Sequence, residues 1–344
     1  MAVSGRHGVA RRLLKISFIA VSLGLAVHLI LLSLPGIHQS VLVMRHLNPA
    51  LLLVAVSLEA GSLIALAQLY RVSVASFDHD IGFSQALRLS MAMFTLTRIL
   101  PAGGAAAAVF GAAQLTDLDV KPASAATSVV VAGALGMTTL AAIVGVGAAA
   151  SLLKGDLPAA YLAPVLLLLG IVLGIGYLAH RIASNVSFTR AVIRKLEKVL
   201  RRLRMKPDLT EIYEVVEELS RRMPSSRELR PLFGWSALNW LLDVAVLWLV
   251  FAALGQRLPI AVLLVGYGVA NLAMALPITP GGLGLVEAGM SSTFTAFGLP
   301  AATAVVGVLG YRLISFWLPL LAGVPQYLAA TRRLHAPETS ASPG

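Results

Sequence analysis

Glu287 ends the most distinctive stretch of the chain, Leu276-Pro277-Ile278-Thr279-Pro280-Gly281-Gly282-Leu283-Gly284-Leu285-Val286-Glu287. Pro277 and Pro280 stop the apolar run that precedes them and free its last backbone carbonyls. Gly281, Gly282 and Gly284 admit backbone conformations closed to other residues and permit close approach by other groups. Glu287 then falls in the first turns of the next apolar segment, where the positive end of a helix favours a carboxylate. In lipid that charge is costly, so it must face protein or a water-filled cavity. Two readings follow: a structural cap and arginine partner, or a part of a substrate or proton pathway.

Four more charges interrupt apolar sequence: Arg312, Arg98, Glu59 and Asp243. Each needs a partner, a route to the interface or a polar cavity. Arg312 is the favoured partner of Glu287, because both lie in the second half of the chain, and Arg98 is the alternative. Either arginine could instead meet a lipid phosphate. Glu59 and Asp243 are candidate carboxylates of an inner cavity. Asn239, Asn271 and Gln68 read as hydrogen bonders between packed helices, His28 as a packed neutral histidine, and Gly170-x-x-x-Gly174 as a close-packing face. Trp235, Trp240, Trp248 and Trp317 read as interface anchors or packing residues.

Several chemistries find no carrier. There is no cysteine, which excludes disulfides, thiolate metal sites and a cysteine nucleophile. The seven histidines are scattered, with no His-Glu-x-x-His pattern. No catalytic residue and no metal ligand is therefore assigned, and no cofactor is expected. No Walker A pattern occurs, so any transport is not driven by ATP bound to this chain.

The elements that must position these charges are membrane helices. Of the 344 residues 58% are hydrophobic and only 12% charged, and apolar runs of about 20 residues recur, the length that crosses a bilayer. Clear spans are expected at 16–34, 49–70, 124–150, 159–180, 233–254 and 300–323. Two further apolar segments are broken. The first, 81–115, is interrupted at Pro101 and by Gly103 and Gly104. The second, 258–297, is interrupted at Pro277, Pro280, Gly281 and Gly282. The expected fold is all-α and polytopic, with six clear spans and two Pro/Gly-broken hairpins.

Charge sets the expected orientation. Residues 181–230 carry thirteen Lys or Arg against seven Asp or Glu. Their apolar residues recur at helical spacing, as for Val192, Leu196, Val199 and Leu203, so amphipathic helices along the membrane face and a plain helical connector both fit. The net charge of +11 gathers largely here and at the termini, which marks a cytoplasmic side rather than a nucleic-acid partner. The N-terminus, residues 181–230 and the C-terminus are thus expected in the cytoplasm. Parity then makes the broken hairpins enter from opposite faces, which suggests an inverted repeat and a site near the midplane. The expected organisation is a membrane half at 1–180, a cytoplasmic linker at 181–230, a second membrane half at 231–330 and a disordered tail at 331–344.

The stretch from Pro277 to Gly289, followed by Gly298 and by Arg312 in a last apolar span, resembles the lysylphosphatidylglycerol synthase transmembrane-region family of flippase-like proteins. The resemblance covers about residues 15–330, and its specific part is Pro-Gly-Gly-Leu-Gly-x-x-Glu. Arg98-Ile99-Leu100-Pro101 resembles the family's first-half Leu-Pro-Gly element but departs from it. Ala102 follows the proline, and Ala105–Ala108 stand where the family often has a polar or acidic residue. The resemblance implies membrane lipid handling in the cytoplasmic membrane. Two-domain members make lysyl- or alanyl-phosphatidylglycerol in a soluble domain and flip it; that domain is not expected within these 344 residues. The leading expectation is a lipid flippase or transporter with membrane lipids as substrate. A non-catalytic partner of a lipid- or glycan-modifying enzyme, a homo-oligomer, and a membrane-embedded enzyme acting on a lipid headgroup stay open.

Overall fold

The computed structural model describes residues 47–100, 103–153, 224–275 and 279–334, with isolated positions between 163 and 222. The expected spans at 16–34 and 159–180, most of the linker, Pro101 and Pro277 lie outside the described residues. Among the described residues the chain is helical, with no strand. Four helices among the described residues are long and apolar enough to cross a membrane, and the protein is an all-α polytopic membrane protein.

Each half repeats one order: long helix, broken pair, long helix. In the first half these are α1 (Pro49–Ala75), α2 (Phe83–Ile99), α3 (Gly103–Thr116) and α4 (Pro122–Leu153). In the second they are α5 (Ser226–Ala253), α6 (Ile260–Ala275), α7 (Leu285–Ala296), and α8 (Ala301–Arg312) continued by α9 (Leu318–Leu334). A short 3-10 turn, Pro280–Gly282, precedes α7, and a π-turn, Leu313–Trp317, joins α8 to α9.

Local sequence sets the helix starts. Asn48 caps α1 by accepting from the Ala50 amide at 3.0 Å, with Pro49 in the first turn. Ser225 and Glu228 form a capping box for α5, the Ser225 amide donating to the Glu228 carboxylate at 2.7 Å. This cap starts α5 at Ser226 rather than near residue 233 and shortens the linker accordingly. The chain's last helix runs on to Leu334, so residues 331–334 are helical and not part of a tail; residues 335–344 lie outside the described residues.

α1 and α5 pack antiparallel along their length. The Asn48 amide donates to the Ala253 carbonyl at 2.9 Å at one end, and Ser62 meets Asn239 midway. The halves pair reciprocally around this axis. α4, the last helix of the first half, lies against α6 of the second hairpin, with Gly147 beneath Leu264 and Gly268 beneath Val144. α9, the last of the second half, lies against α2 of the first hairpin, with Gly323 beneath Thr95 and the Met91 carbonyl. The chain distance from Pro101 to Pro280 also carries Val144 onto Gly323 and Ser128 onto Gly307. Ser128 receives the Ser73 hydroxyl from α1, and Gly307 receives the Phe251 ring from α5. Equivalent helices thus meet at equivalent places, with opposite chain direction.

The solvent relationship is that of a membrane protein. Leu53, Val109, Val130, Val146, Leu241 and Leu321 point outward, while Glu59, Ser62, Thr95, Thr127, Glu287 and Arg312 are buried. An apolar exterior costs nothing in lipid, and small or hydroxyl residues allow close helix packing inside. One end of the bundle gathers charge: Arg222 pairs with Asp78, Ser124 donates to Glu218 at 3.1 Å, and Arg71 lies 3.8 Å from Asp80.

Candidate functional site

The two chain breaks meet inside the bundle. Gly281 has φ +57, and a Cβ there would stand 2.9 Å from the Arg98 carbonyl and 2.5 Å from the Phe316 ring. Only glycine combines that backbone conformation with that clearance. Gly282 and Gly284 also have positive φ, so the segment before α7 is an opened turn rather than regular helix. In the first break the Gly103 amide donates to the Leu100 carbonyl at 3.0 Å, and a Cβ on Gly103 would press 2.6 Å from the Leu96 carbonyl. Gly104 has open space.

Glu287 lies in the first turn of α7 and is buried. Its carboxylate does two things. Oε2 accepts from the Gly284 amide at 2.7 Å, capping the helix, and Oε1 accepts from Arg312 Nε at 2.7 Å. Arg312 also donates to the Gly281 carbonyl at 3.1 Å, and its guanidinium lies 4.1 Å from the centre of the Phe316 ring. The pair therefore ties the break to α8. The π-turn begins immediately after Arg312 and brings Ser315 and Phe316 inward. Such bulges recur at functional sites because they redirect side chains without ending the helix.

A cavity of about 320 Å³ lies where the halves meet. Glu59, Arg98, Asp243 and Arg312 all line it, together with Gly104 of the first break. Four of the five charged candidates are thus brought together. Glu287 is outside the lining set and reaches the cavity through Arg312. Pro280, Gly281, Gly282 and Gly284 stand behind the pair as its backbone support.

The lining charges differ in how they are satisfied. Asp243 accepts from the Tyr267 hydroxyl at 2.5 Å and from the Tyr311 hydroxyl at 3.0 Å. The Glu59 carboxyl lies within hydrogen-bonding reach of that of Asp243, and its buried Oε2 receives no bond from an N–H or hydroxyl donor among the described residues. Arg98 stacks 4.2 Å from the Phe94 ring centre, and its Nε is buried without a partner among the described residues. Phe316 neighbours both guanidiniums, its ring centre 5.6 Å from that of Arg98. Buried donors and acceptors are normally paired, so the unpaired Arg98 Nε marks the cavity as a place for polar ligand or water.

Tyr267, Tyr311, Trp240 and Ser62 belong to this site and were not singled out as cavity residues in the sequence. Trp240 Nε1 donates to the Gly136 carbonyl at 2.9 Å and closes the wall between α5 and α4. Asn239, expected to join helices, does so with Ser62, and both line the cavity. Asn271 donates to the Tyr267 carbonyl at 3.0 Å and lines it too. Among the described residues no cluster of three His, Cys, Asp or Glu side chains could hold a metal ion.

The chain resembles curated archaeal membrane proteins over part of its length. It is 37% identical over 117 residues to a UPF0104 membrane protein of Pyrococcus horikoshii, covering 33% of this chain and 34% of that one. A UPF0104 membrane protein of Methanothermobacter thermautotrophicus is 37% identical over 87 residues, 25% of this chain and 26% of that one. A third, of Methanocaldococcus jannaschii, is 29% identical over 135 residues, 37% of this chain and 39% of that one. The matches thus span between about a quarter and two-fifths of the relatives' length. The family model described as the lysylphosphatidylglycerol synthase TM region matches residues 18–323, most of the sequence, and the chain belongs to that family.

Proposed function

We propose that the protein moves a phospholipid or glycolipid across the cytoplasmic membrane, without ATP hydrolysis of its own. The observation that carries this reading is the cavity at the meeting of two broken hairpins. It holds Glu59, Asp243, Arg98 and Arg312 inside a shell that is apolar outward. Charges at this depth are tolerated where they line a polar path, and antiparallel halves with opened helices are the architecture in which such paths form. The headgroup occupies the cavity. The acyl chains lie in an apolar groove of about 690 Å³ between α4, α5 and α6, lined by residues that include Ile143, Val146, Leu241 and Trp248. Trp240 lines the cavity, and its chain neighbour Leu241 lines the groove.

The charged end of the bundle faces the cytoplasm in this reading, because Arg71, Lys121 and Arg222 gather there. The N- and C-termini share that side. Gln256 faces the opposite side, as do Asn48 and Leu153.

Reconstitution tests it. The purified protein is placed in liposomes carrying a fluorescent lipid in both leaflets, and the fraction accessible to an impermeant quencher is followed with time. Transport above that of protein-free vesicles, scaled to folded protein, is the expected result. Wild-type protein that is folded and inserted but moves no phospholipid or glycolipid would defeat the proposal.

A further inference from the structure

We propose that the first-half side of the cavity binds a singly charged phosphodiester on Arg98. This rests on the lipid-handling reading above and names its headgroup chemistry. The chain distance from Pro101 to Pro280 carries Ala108 onto Glu287 and Gly133 onto Arg312. At this level the second half is filled by an ion pair, Arg312 Nε to Glu287 Oε1 at 2.7 Å. The first half has a methyl group and a hydrogen at the same two places. Both Ala108 and Gly133 line the cavity, and apart from its own helix no atom of the described residues lies within 4 Å of where a Gly133 Cβ would stand. The cavity is the space that the ion pair fills in the other half.

Arg98 faces that space with no carboxylate of its own. Its Nε is buried and unbonded, and among the described residues no carboxylate oxygen lies within 4.0 Å of it. Its guanidinium is held against Phe94 and faces Phe316, so it cannot easily turn toward solvent. A buried donor left unmade is costly, and an anionic oxygen on a guanidinium makes a short, strong bond. A ligand phosphate therefore takes against Arg98 the role that Glu287 takes against Arg312.

The other cavity charges restrict which phosphate. Asp243 already accepts from two tyrosines, and the Glu59 carboxyl lies beside it in the same cavity. Two carboxyl groups beside one free guanidinium repel a second negative charge on the ligand. They accept a neutral or ammonium-bearing remainder. The site thus selects a phosphodiester over a phosphomonoester.

Binding to the detergent-purified protein, read by calorimetry, tests this with three probes: dihexanoyl-phosphatidylglycerol, dihexanoyl-phosphatidic acid and inorganic phosphate. The phosphatidylglycerol should bind, and the phosphatidic acid should bind about tenfold more weakly or worse, a difference of about 1.4 kcal/mol. Inorganic phosphate should not compete. Arg98→Gln should lose at least about tenfold in affinity, as expected for a charge-assisted bond, while Arg98→Lys keeps part of it. Ala108→Glu places a carboxylate where the ligand phosphate belongs and should abolish binding in folded protein. Unchanged affinity in Arg98→Gln, or phosphatidic acid binding as tightly as phosphatidylglycerol, would overturn the proposal. Inorganic phosphate competing at equal affinity would make this a free-phosphate site and overturn the lipid assignment. The competition arms use wild-type protein, so they stand even where a variant fails to fold. Selective binding by protein that moves no lipid would defeat only the transport reading; transport without such selection would defeat only this one.

Discussion

Asn239 and Ser62 exchange three hydrogen bonds at the crossing of α5 and α1. The Asn239 side-chain amide donates to the Ser62 carbonyl at 2.9 Å and to its hydroxyl oxygen at 2.8 Å, and the Ser62 hydroxyl donates to the Asn239 carbonyl at 3.1 Å. The exchange fixes the register of the two antiparallel helices that carry Glu59 and Asp243. Asn239→Leu leaves the Ser62 groups facing an apolar side chain and should lower stability by about 1–3 kcal/mol. Ser62→Ala should cost less, because the amide retains the backbone carbonyl. Reversible unfolding in detergent measures both. The double variant should lose less than the two losses added, since the residues act as one unit; strict additivity would count against the coupling.

Much of this architecture is written in the sequence, but unevenly. The spans at 49–70, 124–150, 233–254 and 300–323 are legible because a helix that meets lipid is apolar on all sides. The breaks are legible because Pro101 and Pro280 interrupt regular helix, and the glycines that follow each proline weaken it further. That same all-round hydrophobicity hides the cavity wall. In an apolar helix there is no polar face to set the phase, so Tyr267 and Tyr311 look alike whether they face lipid or Asp243. The start of α5 was readable from Ser225 and Glu228, a capping box in a segment that reads as linker. The π-turn after Arg312 was not, because it depends on backbone bonding rather than on any residue type.

Glycine substitutions should separate the two breaks' requirements. Gly281→Ala puts a Cβ onto the Arg98 carbonyl and the Phe316 ring at a residue with φ +57. It should sharply reduce the yield of folded protein, through both strain and collision. Gly104→Ala lies in helix with open space and should be neutral or stabilising by about 0.5–1 kcal/mol. Monodispersity and thermal melting after purification are the measures. Equal tolerance of the two alanines would mean that the breaks do not meet as described.

The chain's lack of cysteine makes its sidedness easy to test. Asp119→Cys and Gln256→Cys should react from opposite faces of the membrane: the first only after permeabilisation, the second in intact cells, with an impermeant maleimide. Asp119 lies in the turn between α3 and α4, near the Arg222–Asp78 pair, and Gln256 lies beyond the end of α5. Gln256→Cys should change stability by no more than about 0.5 kcal/mol, and Asp119→Cys somewhat more, because Asp119 is a non-glycine residue at φ +64. Labelling of both residues from the outside would reject the orientation and, with it, the opposed entry of the hairpins.

The buried pair gives the sharpest test of what the second break does. Glu287→Gln keeps the shape, and its side-chain oxygen can still accept from one of its two donors, the Gly284 amide or Arg312. The negative charge is gone, and Arg312 remains in a buried place with the Gly281 carbonyl as its other hydrogen-bond partner among the described residues. Breaking one side of such a pair costs about 3–5 kcal/mol. Removing both charges, as in Glu287→Gln with Arg312→Met, should recover much of that loss, because no uncompensated charge is left. Thermal unfolding in detergent gives the stability comparison, and transport per folded molecule in liposomes gives the functional one. Because Glu287 does not line the cavity while Arg312 does, the single variant should alter transport through a displaced arginine, and the double variant should restore folding without restoring transport. A double variant with wild-type transport would reduce the pair to scaffold and leave Arg98 as the charge on which movement of the headgroup depends.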